Sequence, residues 1–291
     1  MNRRQFIIAS CISAHLPAQV YVGEVQRGGI DAPKHKEGSI HGTVVVGITI
    51  SEGVVVAADS RTTSPTRVIS DYTSKLFDVS NAGIATYGQA FIGGRNIAAL
   101  IGDFRATNPR GDVDAIADQL RNFVATAYDT AFPQTGARPI LGFLIAGYAH
   151  GIGRLLRVEF PNDRRPTVLH TTNTPGADWN GSTDIISRLV LGFDPRLGAL
   201  PIIAGLPADQ LPAVRQQLQG LQYNIPFDAL TLQDGIDLAL FLVRSTVEMQ
   251  RFADGTVGAP GQIPNVGGAV DVLVVTPTEL RWIRRKELRA E

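Results

Sequence analysis

Residues 43–58 carry the clearest structural signal in the chain. Residues 43–50 read TVVVGITI, residues 54–58 read VVVAA, and Glu52-Gly53 lies between the two runs. β-branched residues favour strands, and two apolar runs joined by a glycine-containing turn are typical of a β-hairpin. Because both runs are apolar on both of their faces, we expect this hairpin to belong to a sheet that is covered on each side.

Charged residues follow at the ends of predicted strands. The second run ends in Asp59-Ser60-Arg61, and Lys75 precedes another apolar strand. Taken alone, such a turn and such a lysine are ordinary features of a solvated surface. Further along, residues 83–88 predict a strand that ends in a glycine turn at Gly88, and such a turn can present a backbone N–H to a site.

The composition indicates a globular protein and excludes several functions. The chain has 291 residues, of which 44% are hydrophobic and 19% charged, so it could form one large domain or two small ones. Lys+Arg and Asp+Glu are both 27, so the charge balance predicts neither a nucleic acid nor an acidic membrane as partner. With Cys11 as its single cysteine and no His/Cys/carboxylate spacing typical of a metal site, the chain is predicted to need no metal and no cofactor.

Residues 1–42 are predicted to be a leader outside the folded domain. Arg3-Arg4 precedes a short apolar run, so residues 1–22 resemble a twin-arginine export signal, although the run is too short to span a bilayer. A pro-segment that starts with basic and apolar residues is the favoured interpretation, which predicts a cytoplasmic protein, with export as the alternative. The predicted domain then covers residues 43–285, followed by a charged tail at residues 286–291.

The rest of the chain alternates between helical and strand patterns. The stretches with apolar residues at helical spacing are residues 91–104, 113–128, 183–191, 208–221 and 230–252. Further strands are predicted at residues 140–148, 154–160, 269–276 and 280–283. The order is therefore strands, two helices, strands, helices and strands.

Three segments together carry a family resemblance. His41-Gly42-Thr43, residues 53–61 and residues 74–77 resemble the start of a mature proteasome β subunit, a member of the N-terminal-nucleophile hydrolases. In that family a glycine precedes a nucleophilic threonine, which becomes the first residue after self-cleavage, and an aspartate and a lysine follow 16 and 32 positions later. Asp59 and Lys75 stand at those two spacings from Thr43. The resemblance implies an α+β fold, a four-layer αββα sandwich of two antiparallel sheets between helix layers.

The resemblance also implies a role for each candidate site residue. Thr43 is the nucleophile, and its own α-amine, freed by cleavage after Gly42, is the base. Lys75 supplies positive charge beside the hydroxyl, and Asp59 pairs with that lysine. The backbone N–H near Gly88, which stands one residue earlier than the family's glycine, stabilises the oxyanion. Ser182, in a Gly-Ser pair before a predicted helix, helps to hold the amine or, alternatively, is a plain helix N-cap.

One region departs from the family pattern. Proteasome β subunits usually carry an aspartate and a serine just before a Gly-Gly pair late in the chain. Here Ile263 and Val266 occupy those positions before Gly267-Gly268, and Asp254 is the candidate substitute. This departure leaves the catalytic competence of the chain open.

Three functional interpretations therefore stay open. The leading one is a self-processing threonine-type endopeptidase that is made as a zymogen and acts on polypeptides. It would work within a homo-oligomeric proteasome-like ring, and an ATPase is a possible regulator of such a ring. The second is a catalytically silent structural subunit of such an assembly. The third is an N-terminal-nucleophile amidase that acts on a small molecule.

Overall fold

The computed structural model describes residues 42–64, 66–257 and 259–287. Asp184–Ile225 belong to one compact unit, and the described residues up to Thr183 and from Pro226 onward form the other. The predicted leader and export signal lie outside the described residues, except for Gly42, and of the predicted charged tail only residues 286 and 287 are described.

Strands dominate the larger unit. In chain order they are β1 (Val44–Ile50), β2 (Gly53–Ala58), β3 (Thr62–Ser64), β4 (Arg67–Ser70), β5 (Leu76–Val79), β6 (Ala82–Gly88), β7 (Phe91–Ile92), β8 (Arg95–Asn96), β9 (Leu141–Ala149), β10 (Ile152–Phe160), β11 (Thr167–Thr171), β12 (Gly176–Gly181), β13 (Gly255–Thr256), β14 (Ala259–Pro260), β15 (Asp271–Val275) and β16 (Leu280–Arg284). Its helices are α1 (Ile97–Ala106), α2 (Val113–Ala131) and α6 (Leu232–Phe252).

Two five-stranded sheets organise this unit. The first has the strand order β12-β1-β2-β15-β16 and the second the order β11-β10-β9-β6-β5, and every neighbouring pair is antiparallel. The predicted hairpin is confirmed as β1 and β2, whose residues are all buried. The mixed α/β class with antiparallel sheets is therefore confirmed.

The core is built from residues of both sheets and of the helices. One cluster joins side chains from the first sheet, such as Val45 and Val56, to Leu155 and others from the second. Leu155 fits because Gly47 lacks a side chain: a Cβ there would lie 2.6 Å from the leucine. A second cluster packs α1 and α2 against the second sheet, and α6 lies against β1 and β2.

The first predicted helix begins later than the sequence indicates. Residues 91–96 form the β7–β8 hairpin, and its turn residues Gly93 and Gly94 have φ angles of 54° and 79°. That left-handed turn cannot belong to a helix, so the apolar spacing of residues 91–96 does not indicate one. The helix starts only after Asn96, whose side chain caps it by accepting a 2.7 Å bond from the backbone N–H of Ala99.

The smaller unit is helical. It contains α3 (Asp184–Leu191), a 3₁₀ turn (Pro195–Ala199), α4 (Pro201–Ala204) and α5 (Leu211–Gln219), which confirms the predicted helices at residues 183–191 and 208–221 with shorter bounds. Its chain closes on itself where the backbone N–H of Tyr223 donates to the carbonyl of Val190 at 3.0 Å. Across the described parts of both units, no helix is long and apolar enough to cross a membrane.

Candidate active site

Thr43 lies directly before β1 and is hydrogen-bonded to the residue that follows the neighbouring strand β12. Its carbonyl accepts a 2.8 Å hydrogen bond from the backbone N–H of Ser182, which follows β12. Gly181 makes this approach possible, because its φ is +88° and a Cβ there would lie 2.1 Å from the Thr43 carbonyl oxygen. Only 7% of Thr43 is exposed, so the strand pairing fixes the residue in a nearly buried position.

The carboxylate of Asp59, directly after β2, accepts four hydrogen bonds. Its Oδ1 accepts from the backbone N–H of Val44 at 2.9 Å and from Lys75 Nζ at 2.8 Å. Its Oδ2 accepts from the backbone N–H groups of Arg61 and Gly267, both at 3.0 Å. Four donors hold this buried carboxylate in one orientation and offset part of the cost of removing its charge from water.

Lys75, directly before β5, contacts both Asp59 and the backbone carbonyl that precedes the predicted nucleophile. Its Nζ donates to the Gly42 carbonyl oxygen at 2.5 Å, and only 3% of the residue is exposed. Burial lowers the pKa of Lys75, whereas the Asp59 carboxylate opposes that shift. The positive charges of Lys286 and Arg61 lower the pKa further. Lys286 is itself buried in an ion pair, so the charged tail starts inside the fold.

The side chains of Lys75 and Thr43 both contact the peptide group between Gly42 and Thr43. The Thr43 hydroxyl lies 2.5 Å from the Gly42 carbonyl oxygen, to which it donates a hydrogen bond. Gly42 has a φ of +123°, and a Cβ there would lie 2.2 Å from the backbone carbonyl oxygen of Asn265. The carbonyl before Thr43 is therefore contacted by both the lysine and the threonine, and only glycine fits at position 42.

The side chain of Ser182 makes a hydrogen bond of its own. Besides the backbone bond to Thr43, its Oγ donates to Oδ1 of Asn265 at 2.8 Å. The structure thus brings four of the five predicted site residues into one cluster: Thr43, Asp59, Lys75 and Ser182.

Asn265 and Gln250 are parts of this cluster that the sequence analysis missed. Gln250, in the last turn of α6, accepts the backbone N–H groups of Asn265 and Val266 through its Oε1, at 3.0 and 3.1 Å. The spacing of the family pattern pointed to Ile263 and Val266, with Asp254 as the candidate substitute, and so passed over Asn265. The signal that could have found Asn265 is its amide side chain two positions before the Gly-Gly pair.

Gly88 lies at the end of β6, where it pairs with Leu141 of β9. A Cβ at Gly88 would lie 2.3 Å from the carbonyl oxygen of Ile140, so the close approach of β9 requires glycine there. The next backbone N–H, that of Gln89, donates to the same carbonyl at 2.8 Å. The oxyanion role of the backbone near Gly88 stays a prediction.

A second polar cluster, which the sequence did not reveal, contains residues from both sheets. The Tyr87 hydroxyl donates to Oε2 of Glu159 at 2.7 Å, and Asn180 donates to Oδ1 of Asp178 at 2.6 Å. Burial raises the pKa of Asp178 to about 6, and the charge of Arg157 opposes this rise. Burial and the Glu159 carboxylate raise the pKa of Tyr87 well above its usual range. Among the described residues, no group of three or more His, Cys, Asp or Glu side chains could hold a metal ion.

Comparison with known families gives a match over part of the chain. A family model described as Proteasome subunit matches residues 40–90, a segment that includes Thr43, Asp59, Lys75 and Gly88. The predicted resemblance to proteasome β-type hydrolases is therefore confirmed over this segment, and the chain is proteasome-like there. No curated protein matches the chain.

Proposed function

We propose that this chain is a self-processing, threonine-type endopeptidase subunit of a proteasome-like particle. One observation carries the proposal: Lys75 and the Thr43 hydroxyl both contact the carbonyl oxygen of Gly42, while Asp59 holds the lysine. A hydroxyl nucleophile, a polarised carbonyl and a fixed charge pair are the parts that peptide cleavage between residues 42 and 43 requires. The proposed mature domain runs from residue 43 to 285 and has the four-layer αββα arrangement.

Self-cleavage would use these contacts directly. The Lys75 ammonium withdraws electron density from the Gly42 carbonyl, and the Thr43 oxygen attacks the carbonyl carbon. The C–N bond then breaks, the hydroxyl proton passes to the departing nitrogen, and an ester joins Gly42 to the threonine oxygen. Water hydrolyses this ester, which leaves a carboxylate on Gly42 and a free hydroxyl and α-amine on Thr43.

The freed amine would then serve as the base for substrate hydrolysis. An unperturbed α-amine has a pKa of about 7.7–8.0, near the pH at which a general base works best. The Lys75 charge favours the anionic form of the threonine oxygen, and Asp59 keeps that charge in place. The backbone N–H near Gly88 is the proposed oxyanion donor, and the loss of such a donor costs about 10²–10³ in rate.

The assembly and the location belong to the same proposal. The family match supports a homo-oligomeric ring that encloses the active sites and admits polypeptide substrates, with an ATPase as the proposed regulator. The favoured interpretation of the leader as a pro-segment supports a cytoplasmic protein, with export by a twin-arginine signal as the alternative.

The intact mass and the N-terminal sequence of the purified full chain test the proposal. We expect a mature chain that begins at Thr43, no cleavage in Thr43→Ala, and cleavage in Thr43→Ser, which keeps a hydroxyl. Purified mature chain should hydrolyse peptides, and turnover of a small amide but not of peptides would instead support the amidase.

A specific observation favours the silent subunit as the second candidate. Val266, which occupies the position of the family's serine, has no hydroxyl and is buried with 1% exposure. A wild-type chain that still carries Gly42 after purification would support this candidate and contradict the endopeptidase.

A further inference from the structure

The geometry points to Asn265 as a positioning residue for the threonine nucleophile, which acts through Ser182 and is itself held by Gln250. The inference rests on the proposed function, because it assigns these residues to the reaction of Thr43. It concerns the loop of residues 265–267, in which the backbone carbonyl oxygen of Asn265 would lie 2.2 Å from a Cβ at Gly42.

Ser182 connects this loop to the nucleophile. Its backbone N–H donates to the Thr43 carbonyl at 2.8 Å, and its hydroxyl donates to Oδ1 of Asn265 at 2.8 Å. A serine hydroxyl has one proton and two lone pairs, so while it donates its one hydrogen bond to Asn265 it can only accept further hydrogen bonds. The lone pairs of the Ser182 oxygen are thereby left to accept a hydrogen bond from the amine that cleavage creates on Thr43.

Gln250 fixes the position of the loop. The residue is 5% exposed, and its Oε1 accepts hydrogen bonds from two successive backbone N–H groups, those of Asn265 and Val266. The next N–H in the loop, that of Gly267, donates to Asp59. The loop is therefore bonded both to α6 and to the carboxylate that holds Lys75, which makes it a rigid support for Ser182.

The neutral charge of Asn265 has a chemical consequence. A carboxylate near the threonine amine would favour the protonated ammonium and raise its pKa, whereas an amide accepts the same hydrogen bond without that effect. Asn265 thus orients Ser182 while the Thr43 amine keeps more of its basic, unprotonated form near neutral pH.

Single and double variants of the full chain test this route. We expect Asn265→Ala and Ser182→Ala each to slow both self-cleavage and kcat for peptide hydrolysis by about tenfold, the value of one lost hydrogen bond. The change should fall on kcat with little effect on KM. If Asn265 acts through Ser182, the double variant is no slower than the slower single variant. Independent losses that multiply would overturn the inference.

The pH profile supplies a readout that a merely structural role would not move. Asn265→Asp keeps the acceptor and adds charge, so we expect a near-wild-type maximal rate with the acid limb of the kcat/KM profile shifted up by about one pH unit. An unshifted profile would overturn the inference, and this readout remains usable if Asn265→Ala does not fold.

Two glutamines of the same helix give a matched comparison. Gln250→Leu should slow the reaction as Asn265→Ala does, whereas Gln233→Leu, on the exposed face of α6, should leave the rate unchanged. If the wild-type chain is not cut before Thr43, the proposed function fails. If it is cut and Asn265→Ala is as fast as wild type, only the present inference fails.

Discussion

The ammonium of Lys75 contacts the carbonyl oxygen of Gly42, at 2.5 Å, in the peptide bond that precedes Thr43. The same ammonium is bonded to Asp59 at 2.8 Å and is almost completely buried. A buried cation that contacts a backbone carbonyl strengthens the electrophilic character of that carbonyl, because little water is present to screen the charge.

Lys75→Ala should therefore abolish both self-cleavage and peptide hydrolysis, with a loss of at least about 10²–10³ in rate. Lys75→Ala breaks a buried ion pair at a cost of about 3–5 kcal/mol, but three backbone N–H donors continue to hold the Asp59 carboxylate, so we expect a destabilised chain that still folds. Intact mass measured over time checks the first effect and a peptide assay the second. A fully processed, active Lys75→Ala chain would sink the assignment of this lysine.

Asp59→Asn should destabilise the fold as well as block processing. Both carboxylate oxygens of Asp59 accept only from N–H donors, so an amide NH₂ in either orientation would face another donor. The Lys75 charge would also lose its partner, and breaking a buried pair in this way costs about 3–5 kcal/mol.

Urea unfolding measures this cost, and Asp71→Asn is its matched control. Asp71 pairs with Arg61 at 2.6 Å, but its side chain is 38% exposed, so we expect a loss below about 1 kcal/mol. Equal losses in the two variants would show that the Asp59 pair is no stronger than a surface one.

Gly42→Ala should prevent cleavage through the backbone rather than through the chemistry. A methyl group at position 42 would meet the Asn265 carbonyl oxygen at 2.2 Å, and the φ of +123° is one that alanine rarely adopts. The peptide must move, which takes its carbonyl away from Lys75. Mass spectrometry should find an uncut chain, whereas Gly94→Ala, at a second positive φ with open space around it, should be cut as in wild type.

The parts of the molecule that the sequence predicted are local in the chain or fixed by spacing. The β1–β2 hairpin was predictable because its residues are apolar on both faces and a glycine turn joins them. The pairing of Asp59 with Lys75 was implied by the resemblance to proteasome β subunits, which depends on residues within one segment of the chain, the segment that the family model also matches.

The site residues and strands that the sequence did not predict depend on contacts between residues far apart in the chain. Asn265 bonds to a serine 83 positions away, and no pattern within either segment indicates that they meet. The strand β12, which pairs with β1, reads GADWNG and lacks an apolar run because its buried face carries Asp178 and Asn180. A strand with a polar buried face cannot be recognised from the hydrophobic period on which such predictions depend.

Asp178 itself gives a prediction about stability and pH. Burial raises its pKa to about 6 in the folded chain, against about 3.9 for an unfolded aspartate. Between these two values the folded chain binds more protons than the unfolded chain, so the free energy of unfolding falls as the pH rises through this window. Above about pH 6 the cost is complete and amounts to about 3 kcal/mol.

Asp178→Asn removes this ionisation while it keeps the oxygen that accepts from Asn180. We expect the variant to exceed wild type in unfolding free energy by up to about 3 kcal/mol at pH 7.5 and to match it near pH 4. Urea titrations at several pH values measure the difference in unfolding free energy. Asp118→Asn is the control: Asp118 is exposed on α2, so this variant should show the same pH dependence of stability as wild type. A variant less stable than wild type at every pH would show that the charge of Arg157, rather than burial, governs Asp178, because the ionised carboxylate would then be the form that the fold requires.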